Sequence, residues 1–365
     1  MAKETNTRTL HVNHSNDGED NKQASFHPRH ITLKTFRNLL SHYPSTVERV
    51  RRGKLIQKLQ SKAVKGPKRK AETNTSTAPT KTELDPPQEK HILEETEKFL
   101  QLDRWRYEEL PKIIAKRATE GQNGSGPEGT HLLKEELIDI MEWKTKHGVS
   151  RPMLMGMVKS NPVATITKST STAFAALPDA DPVISPTDTF PKASLDALTA
   201  PIRGVGPATA SLILSIATVF GAKKEVPFYS DDVYLWLCLM DFPDGRDVKE
   251  QKPSKHKKPN GELIVKYNMN EYRDLWNAAQ ELRARLNDGA GETGDGSVSF
   301  IDIERAAYVL RNIAVSDYYT SRDPEAGLKT VEVTEQANSQ ISKGSKVDSG
   351  ELGTRRSKRV KQGAM

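Results

Sequence analysis

The sequence predicts a mainly α-helical domain with disordered N- and C-terminal tails, and three observations carry that expectation. Apolar residues recur at three- and four-residue intervals through the middle of the chain, no stretch reads as a good strand hairpin, and polar segments without periodicity lie at both ends. The spacing is clearest at Leu132, Leu133, Leu137, Ile138 and Met141, which lay out one apolar face before Gly148 closes the helix.

Taken in order, residues 1–29 read as a disordered arm and 30–62 as one or two short basic helices. Ile31, Leu33, Phe36, Leu39 and Leu40, then Val47, Val50, Leu55, Ile56 and Leu59, supply the apolar positions of those helices. Residues 63–90 read as a linker, because Pro67, Pro79, Pro86 and Pro87 flank a Ser/Thr-rich stretch. The helical domain is expected over 91–318 and a disordered basic tail over 319–365.

Inside the domain, Leu93 to Leu110 predicts a first helical section and Pro111 opens a second. Asn161-Pro162 turns into a helix that runs to Leu177, Pro178 to Pro191 is a loop, and Ala193 to Ala200 is a short helix. Further helices are expected over Val233 to Met240, Tyr272 to Leu286 and Ala306 to Leu310. Asp241 to Glu262 is a charged loop whose Lys252, Lys255, Lys257 and Lys258 are equally suited to touching phosphates and to standing in solvent. Trp143 and the run Met153 to Met157 read as core packing.

Composition bounds the function. Of 365 residues, 35% are hydrophobic and 28% charged, with a mean hydropathy of -0.66, so one globular domain with polar flanks accounts for the length. A net charge of +7 favours a polyanionic partner. A single cysteine, Cys238, points to a reducing compartment and rules out a disulfide scaffold. No secretory signal or membrane span is evident, so a soluble intracellular protein, expected to be a monomer, is the reading. His11, His14, His27 and His30 lack the compact frame of a metal site; no metal and no cofactor are expected.

The most informative stretch is Ile202-Arg203-Gly204-Val205-Gly206-Pro207-Ala208-Thr209-Ala210-Ser211, within a helix-hairpin-helix expected over 192–218. Glycine reaches positive φ and lets backbone approach backbone, so Gly204 and Gly206 suit a hinge beside a phosphate, and Pro207 suits the next helix's first turn. That helix start offers free N–H groups and the positive end of a dipole to an anion. Arg203, Gly204, Val205, Gly206, Ala208 and Thr209 are the candidate DNA-binding residues. Downstream, Val226 to Trp236 brings an apolar approach to the pair Asp231-Asp232 at another helix start. Either aspartate, or Ser230, suits a helix cap, a role compatible with chemistry.

Hairpin and aspartate together resemble the helix-hairpin-helix DNA glycosylase superfamily. The resemblance implies a glycosylase-like helical domain with Asp232 as the candidate catalytic carboxylate and Asp231 as a lesser one. Such a carboxylate stabilises the positive charge that develops on the sugar as an N-glycosidic bond breaks, or activates water. Bifunctional members carry a Schiff-base lysine one residue before the position of Thr209; Ala208 stands there, so any activity is expected to be monofunctional, without a lyase step. One cysteine excludes a four-cysteine iron–sulfur cluster. A longer likeness, from near Leu93 to near Asp317, is to a eukaryotic family represented in fungi; Lys134-Glu135-Glu136-Leu137, Met141-Glu142-Trp143-Lys144, Arg151-Pro152, Ser160-Asn161 and the hairpin carry it, and it implies no chemistry.

Two basic clusters, Lys68-Arg69-Lys70 and Arg355-Arg356-Ser357-Lys358-Arg359, read as nuclear-import signals or nucleic-acid tethers. Their expectation is a nuclear DNA-binding protein with a place in DNA repair. A monofunctional glycosylase and a non-catalytic nuclear scaffold stand beside it as alternatives.

Overall fold

Thr32 opens the first helix by accepting the Thr35 amide on its hydroxyl at 3.1 Å, and α1 follows as Leu33–Ser41. The structure, a computed structural model, describes residues 25–64, 84–120, 130–149, 151–178, 189–221, 224–243, 255–256, 258, 263–288 and 296–319. All of these except Tyr319 belong to one compact unit, Met1–Tyr318. Among the described residues every regular element is helical.

After α1 come α2 (Tyr43–Val64), α3 (Pro86–Arg104), a π turn over Trp105–Glu109, and α4 (Leu110–Glu120). Then follow α5 (Lys134–His147), α6 (Pro152–Lys159), α7 (Val163–Ala175), α8 (Lys192–Thr199) and α9 (Pro207–Leu214). The last are α10 (Asp231–Leu237), α11 (Met269–Asp288) and α12 (Phe300–Arg311). The helical section expected at Leu93 is thus the C-terminal part of α3, and the one expected over Val233 to Met240 ends sooner, with Met240 at φ 51.

The body takes in residues assigned to the arm and linker. Phe26 is buried and its carbonyl accepts the Trp236 indole N–H at 2.8 Å, so the arm expected over 1–29 ends earlier. Pro86 and Pro87 are not linker residues: Asp85 caps α3 by accepting the Gln88 amide at 2.8 Å, and the prolines fill the first helical positions, where no N–H partner is needed. The basic N-terminal helices dock on the body. Phe36, Leu39, Tyr43 and Val47 are buried, and Lys54 Nζ donates to the carbonyls of His147 at 2.6 Å and Gly148 at 3.0 Å, closing the C-terminus of α5.

Trp143 is core, as expected, and donates its indole N–H to Asp103 at 2.7 Å. Behind it, the buried Arg106–Glu304 pair at 2.9 Å, with Tyr107 donating to Glu304 at 2.8 Å, ties the π turn to α12. The methionine run departs from the core reading. Met153 is 83% exposed and none of Met153, Met155 and Met157 is buried; α6 is a surface helix held chiefly through Val158.

Candidate functional site

Gly204 and Gly206 play different parts in the turn between α8 and α9. Gly204 lies at φ +84, and an added Cβ would meet Met157 Cβ at 3.0 Å and Val158 Cγ2 at 3.3 Å, so both conformation and close packing on α6 require glycine. Gly206 corrects the expectation of a second left-handed glycine. Its backbone is extended, at φ -103, and a Cβ there would enter open space. Asn161 clamps the turn: its side chain accepts the Arg203 amide at 2.9 Å and donates to the Arg203 carbonyl at 3.0 Å. Arg203 and Gly206 are exposed and Gly204 half-buried, whereas Val205, Ala208 and Thr209 are buried.

Ser211 joins this hairpin to the aspartates. Its hydroxyl accepts the Tyr229 amide at 2.9 Å, which fixes the segment leading to Asp231 against α9. The cap of α10 is Ser230, whose Oγ accepts the Val233 amide at 3.1 Å. Neither aspartate is therefore consumed in capping. Asp232 is 7% exposed and accepts from Arg311 Nη1 at 2.5 Å. Asp231 accepts the Tyr267 hydroxyl at 2.9 Å, and Tyr267 in turn accepts from Arg151 at 3.1 Å. Burial, then the adjacent Asp232 charge, raises the Asp231 carboxyl above the usual carboxylate range.

A cavity of about 210 Å³ joins these groups, with Gly206, Thr209, Asp231, Asp232, Lys144 and Tyr267 on its walls. Lys144, on α5, reaches across to donate to Thr209 Oγ1 at 2.9 Å. Burial lowers its ammonium to about 8, with Asp231 pulling upward and Arg151 downward. Tyr267 holds its place with φ at +54, a conformation that costs a bulky residue roughly 1–3 kcal/mol and that recurs at functional sites. The next residue fixes it, since Asn268 Oδ1 caps α11 by accepting the Glu271 amide at 2.9 Å.

The structure thus brings Gly206, Ala208, Thr209, Asp231 and Asp232 to one cavity, leaves Arg203 on the adjoining surface, and places Lys68, Arg69, Lys70, Arg355, Arg356, Lys358 and Arg359 outside the described residues. Most of the charged loop, with Lys252 and Lys257, lies outside them as well. Sequence reasoning missed Lys144, Arg151, Tyr267, Arg311 and the clamp Asn161. The segment containing Lys144 carried a family likeness, and a lysine one turn from a helix end is the only local signal it offers.

Among the described residues no group of three or more His, Cys, Asp and Glu is placed to hold a metal ion, and no helix is long and apolar enough to cross a membrane. No known family model, curated protein or solved structure matches the chain. The chemistry of the site carries the functional reading.

Proposed function

We propose that this is a nuclear DNA-binding protein that grips a sugar-phosphate strand at the turn between α8 and α9, on a helix-hairpin-helix scaffold like that of the DNA glycosylases. The observation that carries the reading is Gly206, exposed, extended and free of any packing need for glycine, at the rim of a cavity that also holds Lys144, Arg151 and Arg311. With no side chain there and open space beside its Cα, the Gly206 backbone can be approached closely from outside. Arg203 beside it supplies an exposed cation for a phosphate. The basic clusters around Lys68 and Arg355 suit nuclear import and tethering.

Duplex binding measured over a range of salt is the test. Binding whose logarithm falls linearly with log salt, and which Gly206→Trp weakens without lowering the unfolding midpoint, supports the reading. Full binding by Gly206→Trp overturns the turn as the contact, and no duplex binding overturns the whole reading and leaves the non-catalytic scaffold.

One observation favours a second reading, a monofunctional DNA glycosylase with a role in repair. Ser230, not Asp232, caps α10, and the Asp232 carboxylate, paired with Arg311, lines the cavity beside the hairpin. Abasic-site formation on a panel of damaged duplexes, abolished by Asp232→Asn with binding retained, separates this reading from the first.

A further inference from the structure

Two cations on the cavity wall have no acid to answer them. Lys144, Arg151 and Arg311 stand there with Asp231 and Asp232. Arg311 is matched by Asp232, and Asp231 accepts the Tyr267 hydroxyl. Lys144 and Arg151 have neutral partners. Lys144 donates to Thr209 Oγ1 and lies 6.0 Å from the centre of the Phe228 ring, while Arg151 donates to the Tyr267 hydroxyl and lies 4.8 Å from the centre of that ring. Neither makes an ion pair with any described residue. A sheltered cation without a counter-ion is costly, and burial accordingly lowers the Lys144 ammonium to about 8. Two such cations beside one recess define a place for an anion.

We propose that this recess takes the terminal phosphate of a DNA strand, at a nick or at a duplex end. The proposal rests on the backbone-binding reading above and narrows its substrate, because the strand held at Gly206 is what brings a phosphate to the cavity rim. Size and charge both select the group. The cavity, at about 210 Å³, far exceeds the roughly 10–15 Å³ that one water needs, so a tetrahedral phosphate fits. A phosphate inside a strand carries one negative charge and is tied to a sugar on both sides, which keeps it on the surface of the duplex. A terminal phosphate has one such tie and carries about −1.5 to −2 at neutral pH, close to the charge of the two unmatched cations. The first turn of α9 lies on the same wall through Gly206, Ala208 and Thr209, and adds the positive end of a helix dipole. Asp231 and Asp232 repel any anion, and the hydrogen bonds they accept from Tyr267 and Arg311 lessen that repulsion.

Three nicked duplexes of one sequence test this with the full chain: one with a 5′-phosphate at the nick, one with a 3′-phosphate and one with hydroxyls on both sides. The expected result is binding roughly tenfold tighter for a phosphate at one of the two ends than for the hydroxyl nick, the scale of hydrogen bonds to a charged group. Lys144→Met and, independently, Arg151→Gln are expected to remove most of that preference. Lys144→Met takes away a cation without a counter-ion, so its unfolding midpoint should hold or rise. Arg203→Gln, on the exposed surface, should weaken all three duplexes alike and keep the preference. A free deoxynucleoside monophosphate carries the same phosphate chemistry. If it binds as tightly as the phosphate-ended nick, the site takes nucleotides and the strand-end assignment falls. Equal binding of the three duplexes, or a preference that both cavity variants keep, overturns the inference and spares the binding reading. Failure to bind any duplex overturns both.

Discussion

Arg311 Nη1 donates to Asp232 Oδ1 at 2.5 Å, tying the end of α12 to the first turn of α10 across 79 residues of sequence. With Asp232 8% and Arg311 20% exposed at the side chain, the pair is largely sheltered. Removing one partner leaves a charge without its counter-ion in low dielectric, a larger loss than removing both. Arg311→Met is expected to destabilise by about 2–4 kcal/mol, and Asp232→Asn in the same chain to restore part of the loss. Urea unfolding of the two single variants and the double variant checks this; additive effects would show that the pair is not coupled.

The two glycines of the hairpin are expected to respond in opposite ways. Gly204→Ala forces a Cβ to 3.0 Å from Met157 at positive φ, so a loss of about 1–3 kcal/mol is expected. Gly206→Ala adds a methyl to open space and should shift stability by under about 0.5 kcal/mol. Thermal midpoints of the two variants, read beside their duplex affinities, separate the structural glycine from the one proposed to meet a strand.

That difference marks how far the sequence can be read. Helical periodicity, Gly148 as the end of α5 and the short helices on either side of the hairpin follow from local rules, and the helices stand close to where those rules put them. Gly204 and Gly206 look alike as letters, because nothing local says which one α6 packs against. Lys144, Arg311 and Tyr267 are 65, 79 and 36 residues from Thr209, Asp232 and Asp231, their respective partners, so their roles exist only after folding. Pro86 and Pro87 misled because proline serves both a linker and a first helical turn; the deciding residue is the capping Asp85.

Asn161 bridges the turn after α6 to Arg203 with bonds in both directions, at 2.9 and 3.0 Å. It is also 2% exposed, so its loss strands buried backbone groups. Asn161→Ala is expected to cost about 1–3 kcal/mol and to weaken duplex binding more than a surface change would. Asn161→Asp, which keeps the acceptor for the Arg203 amide but turns a buried carboxylate oxygen toward the carbonyls of Met157, Val158 and Arg203, should cost at least as much. Equilibrium unfolding with binding titrations of both variants measures the two effects.

His147 gives the protein an acid limit. Its ring is buried, stacked on Trp143 with centroids 4.5 Å apart, and 3.3 Å from the Tyr43 hydroxyl, which itself donates to Asp103. Burial first, then the charges of Lys54, Arg106 and Arg311, push its pKa well below 6.5. The folded state therefore holds a neutral ring where the unfolded chain takes up a proton, so unfolding binds protons below about 6.5 and stability falls as pH drops, by up to about 1.4 kcal/mol per unit. Asp103 and Glu304, both raised by burial, act with the opposite sign lower down, where the folded state is the one that takes up protons. Comparison with His147→Gln, which keeps an amide donor near Tyr43 and cannot titrate, isolates the imidazole. The wild type should lose stability faster than the variant between pH 6.5 and 5 in urea unfolding, and parallel pH profiles would show that the ring takes up its proton equally in the folded and unfolded states.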